Sequence, residues 1–413
     1  MIRPRSVNDV INALVVVLAF ALPLYRAWVS LAAILILILW FFQPDLKERI
    51  TRLGHHRLTL AVLVFLALNL ASLFWSEDPG GGFTYWRKYL YLLLIPAVAT
   101  SVRPAFTRAA FIAYIGGTLL AVIVMPLVIL GDIHIRHIHP ENPAATMSHL
   151  DFSMILAVAG LLILVHLASG IAVRGRGTIV WAVLFGLIIG GLLLNIGRSG
   201  QFAFVATLAF LAPFLLRSRS RMFRAGILVV IATALITAYV VVTPFHQRIE
   251  TAVVELHDAV IEGRIDTNQG KRVAGAVVGL EMVKARPLFG TGIGGNMIEF
   301  RRMLETSYPQ YRDAVSWFPH FHNQYLQVVT ELGLVGLASM LGLFAALFTG
   351  KYRNPEVQAA AIAVGCAYLF GFFGDPFLHK QLPLVFFALS AGIISSDDEV
   401  FADASSQSTV DSQ

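Results

Sequence analysis

Residues 319–327 read Pro-His-Phe-His-Asn-Gln-Tyr-Leu-Gln. This stretch closes a long polar interval, 244–323, and opens an apolar run that starts near Tyr325. Two histidines, a proline and an asparagine therefore sit where polar chain meets a hydrophobic segment. Ionisable side chains at a membrane boundary are costly and are commonly kept for a task. A histidine there exchanges a proton near neutral pH, which makes it a candidate general base.

The rest of the chain makes that boundary a membrane boundary. Of its 413 residues, 57% are hydrophobic and 14% charged, against about 25% charged in an average soluble domain. A helix crosses a bilayer with about 20 apolar residues. On that measure about twelve runs are candidate spans: 10–25, 27–42, 57–75, 86–102, 107–130, 148–170, 177–196, 200–216, 223–243, 324–349, 357–373 and 383–396. The reading is all-α: a polytopic integral membrane protein with a large helical loop on one side. The apolar run after Arg3 and Arg5 has the look of a signal peptide, but the spans that follow make it a retained first helix.

Basic residues set the orientation. They crowd the N-terminus (Arg3, Arg5) and the connections carrying Lys47–Arg57, Arg103–Arg108, Arg174–Arg176, Arg217–Arg224 and Lys351–Arg353. The opposite short connections carry fewer, among them Arg26, Arg87, Lys88, Arg136, Arg198 and Lys380. The positive-inside rule then puts both termini in the cytoplasm and the long loop outside. The net charge of +6 reports this topology, so no nucleic-acid partner is implied. The single cysteine, Cys366, excludes an intramolecular disulfide.

The organisation follows: a first bundle over 1–243, an outer loop domain over 244–323, further spans over 324–396, and a polar, serine-rich tail over 397–413, read as disordered. Within the loop, 246–262, 271–286 and 297–305 have helical spacing, the second stopping before Pro287. Pro287–Asn296 is glycine-rich. It has the glycines of a dinucleotide loop, but no strand precedes it, so it reads as a turn.

Several side chains carry possible chemistry. His320 and His322 fall on one side of an extended stretch, which suits metal ligation, a helix-start cap, or action on a substrate hydroxyl. No further confident ligand accompanies them, and no metal is assigned. Gly197-Arg198-Ser199-Gly200-Gln201 joins two apolar runs. Arg198 there either binds phosphate through its planar fork or snorkels to lipid headgroups. Its glycines permit a tight turn and close approach of a ligand. Lys271 and Arg272 stand at a helix start, against the macrodipole, and so suit an anion or are plain solvated charge. The histidines at 134, 137 and 139 suit a metal or interfacial packing. Asp375, near a span end with His379 and Lys380, either orients a histidine or ends a helix.

Taken in order, these motifs resemble a known family. His322-Asn323, nine residues, Gly333, two residues and Gly336 is similar to the signature of the O-antigen ligase and polymerase superfamily. Leu73–Pro79 (LFWSEDP), Arg87–Leu90 (RKYL), Arg198–Gln201 (RSGQ) and Pro287–Gly292 (PLFGTG) resemble its other conserved segments, from about residue 60 to 340. The resemblance implies a GT-C-like membrane glycosyltransferase of the bacterial inner membrane with a periplasmic site. It implies no cofactor, and metal-independent, inverting transfer. The donor would be an undecaprenyl-diphosphate-linked O-antigen and the acceptor the lipid A–core oligosaccharide. By the same resemblance Arg198 and Arg272 would bind the diphosphate and His322 would act on the acceptor hydroxyl. His320, Asn323, Gln201 and Asp375 would contact substrate. The rivals are the O-antigen polymerase and a protein O-oligosaccharyltransferase of the same superfamily, and, in another class, a lipid or polysaccharide transporter. A transporter would place charges mid-span, whereas here they gather at span ends.

Overall fold

The computed structural model describes residues 6–130, 144, 147–169, 176–216, 233, 236–237, 239–241 and 243–401. Helices dominate. In chain order they are α1 (Val7–Ala21), α2 (Arg26–Phe41), α3 (Leu46–Leu53), α4 (Arg57–Ala71), α5 (Pro79–Tyr89), α6 (Leu94–Ala99), α7 (Pro104–Ile129), α8 (His149–Ala168), α9 (Arg176–Leu194), α10 (Arg198–Leu215), α11 (Thr243–Ile261), α12 (Asn268–Ala285), α13 (Asn296–Thr306), α14 (Arg312–Val315), α15 (Gln324–Phe348), α16 (Pro355–Gly371) and α17 (Gln381–Ser395). The described residues contain no strand beyond an isolated bridge between Tyr352 and Asp398.

Many helix starts follow from local chemistry. Ser6 accepts from the amide of Asp9 while the Asp9 carboxylate accepts from the amide of Ser6, closing a capping box at α1. Ser148, Thr267, Asn323 and Asn354 accept from first-turn amides of α8, α12, α15 and α16. Pro79 and Pro355 occupy first-turn positions that need no amide hydrogen.

Six of the described helices are long and apolar enough to cross a membrane: the helix from Arg57, α7, α8, α9, α10 and α15. A seventh span is possible if α2 and α3, bent by 104° at their junction, count as one. The twelve runs read from sequence therefore do not all become long helices. The run 10–25 gives the short α1, and 383–396 gives the short α17. The run 86–102 is not one helix. It breaks into the end of α5, a 3-10 turn at Leu90–Leu93 and the short α6. Pro96, which has no amide hydrogen to donate, sits in the first turn of α6, where none is needed. Most of the 223–243 run and the histidines at 134, 137 and 139 lie outside the described residues.

α8 is the axis of the bundle. Most of its side chains are buried, against α10, α16 and α9. α9 mostly faces outward, as a lipid-facing helix does. α1 pairs with α7 and α2, and α4 with α15. The three loop-domain helices expected at 246–262, 271–286 and 297–305 are α11, α12 and α13. α12 and α13, with the segment that follows them, share a small core of Val278, Met282, Phe300, Leu304, Phe318 and Phe321, which continues onto Leu326 and Val329 of α15. The polar tail is tied down as far as Phe401, where Asp398 accepts from the amide of Lys351 and Asp397 from that of Asn354.

One device joins the loop domain to the bundle. α15 is broken at Gly333, whose φ of 65° and ψ of −163° are non-helical. Exposed backbone groups inside a hydrophobic span must find partners within the protein. The glycine-rich turn supplies them. The amides of Thr291 and Gly292 donate to the carbonyls of Thr330 and Glu331 at 3.0 and 2.8 Å, and the amide of Leu334 donates to Pro287 O at 2.8 Å. The turn is fixed from its other side by Ser72, whose hydroxyl accepts from the amide of Ile293, and by Ser76, which donates to Ile293 O. Segments 73–79, 287–294 and 322–336 thus form one interlocked unit.

Gly333→Ala is expected to lower the thermal unfolding midpoint in detergent by several degrees, because φ there favours glycine and a Cβ would overlap the Leu288 backbone. Gly342→Ala, with open space around its Cβ, is expected to leave the midpoint unchanged. Equal midpoints for the two variants would contradict the role given to the break.

Candidate functional site

The break in α15 leaves its first turns, Gln324–Leu332, packed beneath the loop domain, and His322 and Asn323 stand just ahead of them. Asn323 is the N-cap: its side-chain oxygen accepts from the amide of Leu326 at 3.0 Å. His322 is the one non-glycine residue with positive φ, 52°, among the described residues. Such a backbone persists where surrounding contacts hold it. Here they do. Phe321 N donates to the Gln327 side chain, Gln324 N to Phe372 O, and His322 N to Nδ1 of His320 at 3.3 Å. Burial pushes His320 down to about 3 despite the Asp375 charge, with His322, Lys380 and Arg272 adding to the push. His320 is therefore neutral at physiological pH, with Nδ1 accepting and the ring proton on Nε2.

Asp375 is fully buried, in the connection between α16 and α17. Its Oδ1 lies 3.4 Å from His322 Nδ1, and neither atom has a closer hydrogen-bond partner among the described residues. Its Oδ2 is bound by the Lys380 ammonium, which also lies 3.5 Å from Asp151 at the start of α8. Burial alone would raise the Asp375 carboxyl. Contact with His322 and the Lys380 charge outweigh it and hold the group at about 2. Lys380 shows the reverse balance: burial lowers it, but Asp151 and Asp375 raise it above its ordinary value. The carboxylate can thus orient the imidazole and stabilise an imidazolium, leaving Nε2 for a substrate.

The arginines stand next to this network. Ser199, the neighbour of Arg198, packs so closely on Gly374 that a Cβ there would meet the Ser199 Cβ at 2.7 Å. Arg272 Nη1 donates to Gly374 O at 3.0 Å. Arg248, at the base of α11, donates to Asn195 O at 2.8 Å. Among the described residues none of these three guanidinium groups meets a carboxylate at ion-pair distance. Arg248 and Arg272 are lowered from the ordinary guanidinium value, first by burial; the Arg198 charge adds to this in both, while Asp375 works against it in Arg272. Arginine stays protonated throughout, so the cluster is a standing positive charge.

Arg198 and Arg248 share one end of a cavity of about 560 Å³. Its other walls include Phe202, Val205, Ile236, Ile249 and Val253. A charged end on an apolar slot fits a ligand that is anionic at one end and greasy at the other. Sequence reading named Arg198 and Arg272 but passed over Arg248 and the Lys380–Asp151 pair. A basic residue just outside an apolar run, four residues after Pro244, was the available signal for Arg248.

Two expectations change in detail. The amide nitrogen of Gln201 donates to the carbonyls of Leu192 and Asn195, both at 2.9 Å, and so secures the α9–α10 corner as well as lining the cavity. Gly197 and Gly200 admit α8 rather than a ligand, since a Cβ on either would strike Ser153. For a metal, His320, His322 and Asp375 offer ligand atoms all within 4.8 Å of one another. The Lys380 ammonium on Asp375 and the nearby Arg272 oppose a cation there. The RKYL segment borders the same place: Tyr89 Oη lies 3.2 Å from His379 Nδ1, and Tyr85 packs on the His379 ring at 4.1 Å.

The ionic network carries an acid-sensitive share of stability. The Asp375 carboxyl is lower in the folded chain, about 2, than its ordinary 3.8. Its contribution is therefore complete above about pH 4 and is lost as pH falls from there toward 2, on the order of 2 kcal/mol. Asp375→Asn is expected to be less stable at neutral pH and to lose less stability over that acid interval, read by thermal unfolding against pH. A parallel loss in variant and wild type would remove Asp375 from the network.

No curated protein matches the chain. Residues 181–341 match the family model described as O-antigen ligase, an interval that takes in Arg198, Arg248, Arg272, His322 and the broken helix.

Proposed function

We propose that the protein is a glycosyltransferase that moves O-antigen polysaccharide from undecaprenyl diphosphate to a hydroxyl of the lipid A–core oligosaccharide, at the periplasmic face of the inner membrane. The observation that carries this reading is an apolar slot lined by Arg198 and Arg248, with Arg272 within charge reach of both Arg198 and Asp375, and none of the three at ion-pair distance from an acid among the described residues.

In this reading the prenyl chain lies along Phe202, Val205 and Val253, and the diphosphate meets the arginines. Guanidinium groups pair with phosphate oxygens and need no reorganisation as charge develops on the leaving group. The acceptor hydroxyl approaches the anomeric carbon from the side opposite the diphosphate. Nε2 of His322 takes the hydroxyl proton as the new carbon–oxygen bond forms. The bond to the diphosphate breaks, and the lipid diphosphate leaves with the electron pair. Asp375 stabilises the imidazolium until its proton passes to water. A single displacement inverts the anomeric centre, and no nucleotide is needed. The Lys380 and Arg272 charges beside His322 and Asp375 support metal-independent chemistry. Asn323, as the cap of α15, acts through the position of His322, and His320 supports the His322 backbone.

His322→Ala is expected to reduce transfer by about 10²–10⁴-fold with insertion intact and the unfolding midpoint lowered only modestly by the lost contact with Asp375; full activity would end its role as base. Arg198→Lys and Arg248→Ala are each expected to cost roughly tenfold or more in kcat/KM for the lipid donor, since paired charge-assisted bonds are lost. The reaction itself is tested with purified protein given lipid-diphosphate glycan, with and without lipid A–core, in the presence of chelator. Product only when the core is supplied is expected. Chain lengthening from donor alone would favour the polymerase instead, and loss of activity restored by a divalent metal would favour a metal at His320, His322 and Asp375.

A further inference from the structure

The bundle has a second cavity, far from the site above. Asp151, in the first turn of α8, lies beside Lys380, and His166 is in the last turn of that helix; Glu356 is in the first turn of α16, whose far end leads to Asp375, so His166 and Glu356 mark the opposite end of both helices. Their side chains meet there, His166 Nδ1 lying 2.8 Å from Glu356 Oε1. Next to this pair a cavity of about 480 Å³ runs inward between α1, α7, α8, α16 and α17. Its depth is apolar: Leu162, Val364, Phe386 and Leu389 line it. Tyr114 presents only its ring, since its hydroxyl donates to Ile155 O at 2.6 Å. The rim is polar, with Thr107, Arg108 and Asn354 beside the His166–Glu356 pair.

Protein interiors are close-packed, so a space of this size with apolar walls calls for an apolar filling. The charge at its mouth selects what else the occupant carries. Glu356 is met by His166, whereas Arg108 is exposed and has no acidic partner at ion-pair distance among the described residues. An exposed guanidinium at the mouth of an apolar slot matches a phosphate joined to a hydrocarbon chain.

We propose that this cavity is a binding site for one acyl chain of an anionic membrane phospholipid, with its phosphate against Arg108. The site serves the opposite end of the bundle from the lipid diphosphate slot and is independent of the reaction proposed above. A chain held between α8, α16 and α17 braces the same three elements that position Asp151, Asp375 and Lys380.

The test uses the full chain purified in detergent, stripped of lipid, and offered phosphatidylglycerol or phosphatidylcholine, with retained lipid counted by native mass spectrometry. Wild type is expected to retain one phosphatidylglycerol in preference to phosphatidylcholine. Ala360→Trp, which fills the cavity, is expected to abolish retention, while Leu187→Trp on the exposed face of α9 leaves it intact. Arg108→Glu is expected to cut the preference for the anionic lipid roughly fivefold. Wild-type retention by Ala360→Trp, or an unchanged preference in Arg108→Glu, would overturn the proposal. If Ala360→Trp does not fold, as judged by its unfolding midpoint, the Arg108→Glu comparison decides alone.

Discussion

The buried carboxylate of Asp375 is the point on which the site end of the bundle converges. A lone ionised carboxylate without solvent is expensive, and the chain offsets that cost by bringing cations and an imidazole to it. Lys380 comes from the same connection and ties it to Asp151 on α8. His322 comes from the far side of the loop domain. Arg272 holds the carbonyl of Gly374, one residue away. Four separate stretches of sequence are thus drawn to one place by electrostatics rather than by apolar packing. Polar groups gathered in this way fix orientation more than they add net stability.

The distribution of charge around that point is uneven. Asp375 and Asp151 are both paired with Lys380, and the arginines on α10, α11 and α12 meet no carboxylate at ion-pair distance among the described residues. Elsewhere on the loop domain acid and base balance, as in Arg302, which pairs with both Glu77 and Glu299. A protein that needed only to fold would have neutralised the cluster as it does there. Uncompensated guanidinium groups beside an apolar slot are what recognition of an amphiphilic anion requires.

Much of this was legible in the sequence, for identifiable reasons. Hydropathy announced the long helices, because a span must be apolar along its length. The loop-domain helices announced themselves by apolar spacing, the second of them also by its stop before Pro287. His322 and Arg198 stood out as ionisable groups at the ends of apolar runs. What sequence could not give was partnership across distance. Nothing local links Asp375 to His322, or assigns Arg248 to the wall facing Arg198. The segment 86–102 misled because hydropathy measures transfer to lipid and not continuity of a helix. There Leu90–Leu93 tightens into a 3-10 turn and Pro96 restarts the chain. Gly197 and Gly200 looked like room for a ligand, but the room is taken by a neighbouring helix. Glycine's permissiveness is visible in a sequence, whereas the identity of the approaching group is not.

The interruption of α15 at Gly333 also has a mechanical meaning. An unbroken helix passes torque from one end to the other, like a shaft. Here the shaft is cut, and the piece that carries His322 is clamped to a turn belonging to the loop domain. A joint of this kind need not pass a tilt of the longer piece on to the shorter one. The imidazole takes its aim from the body above it, to which its piece of the helix is hydrogen-bonded.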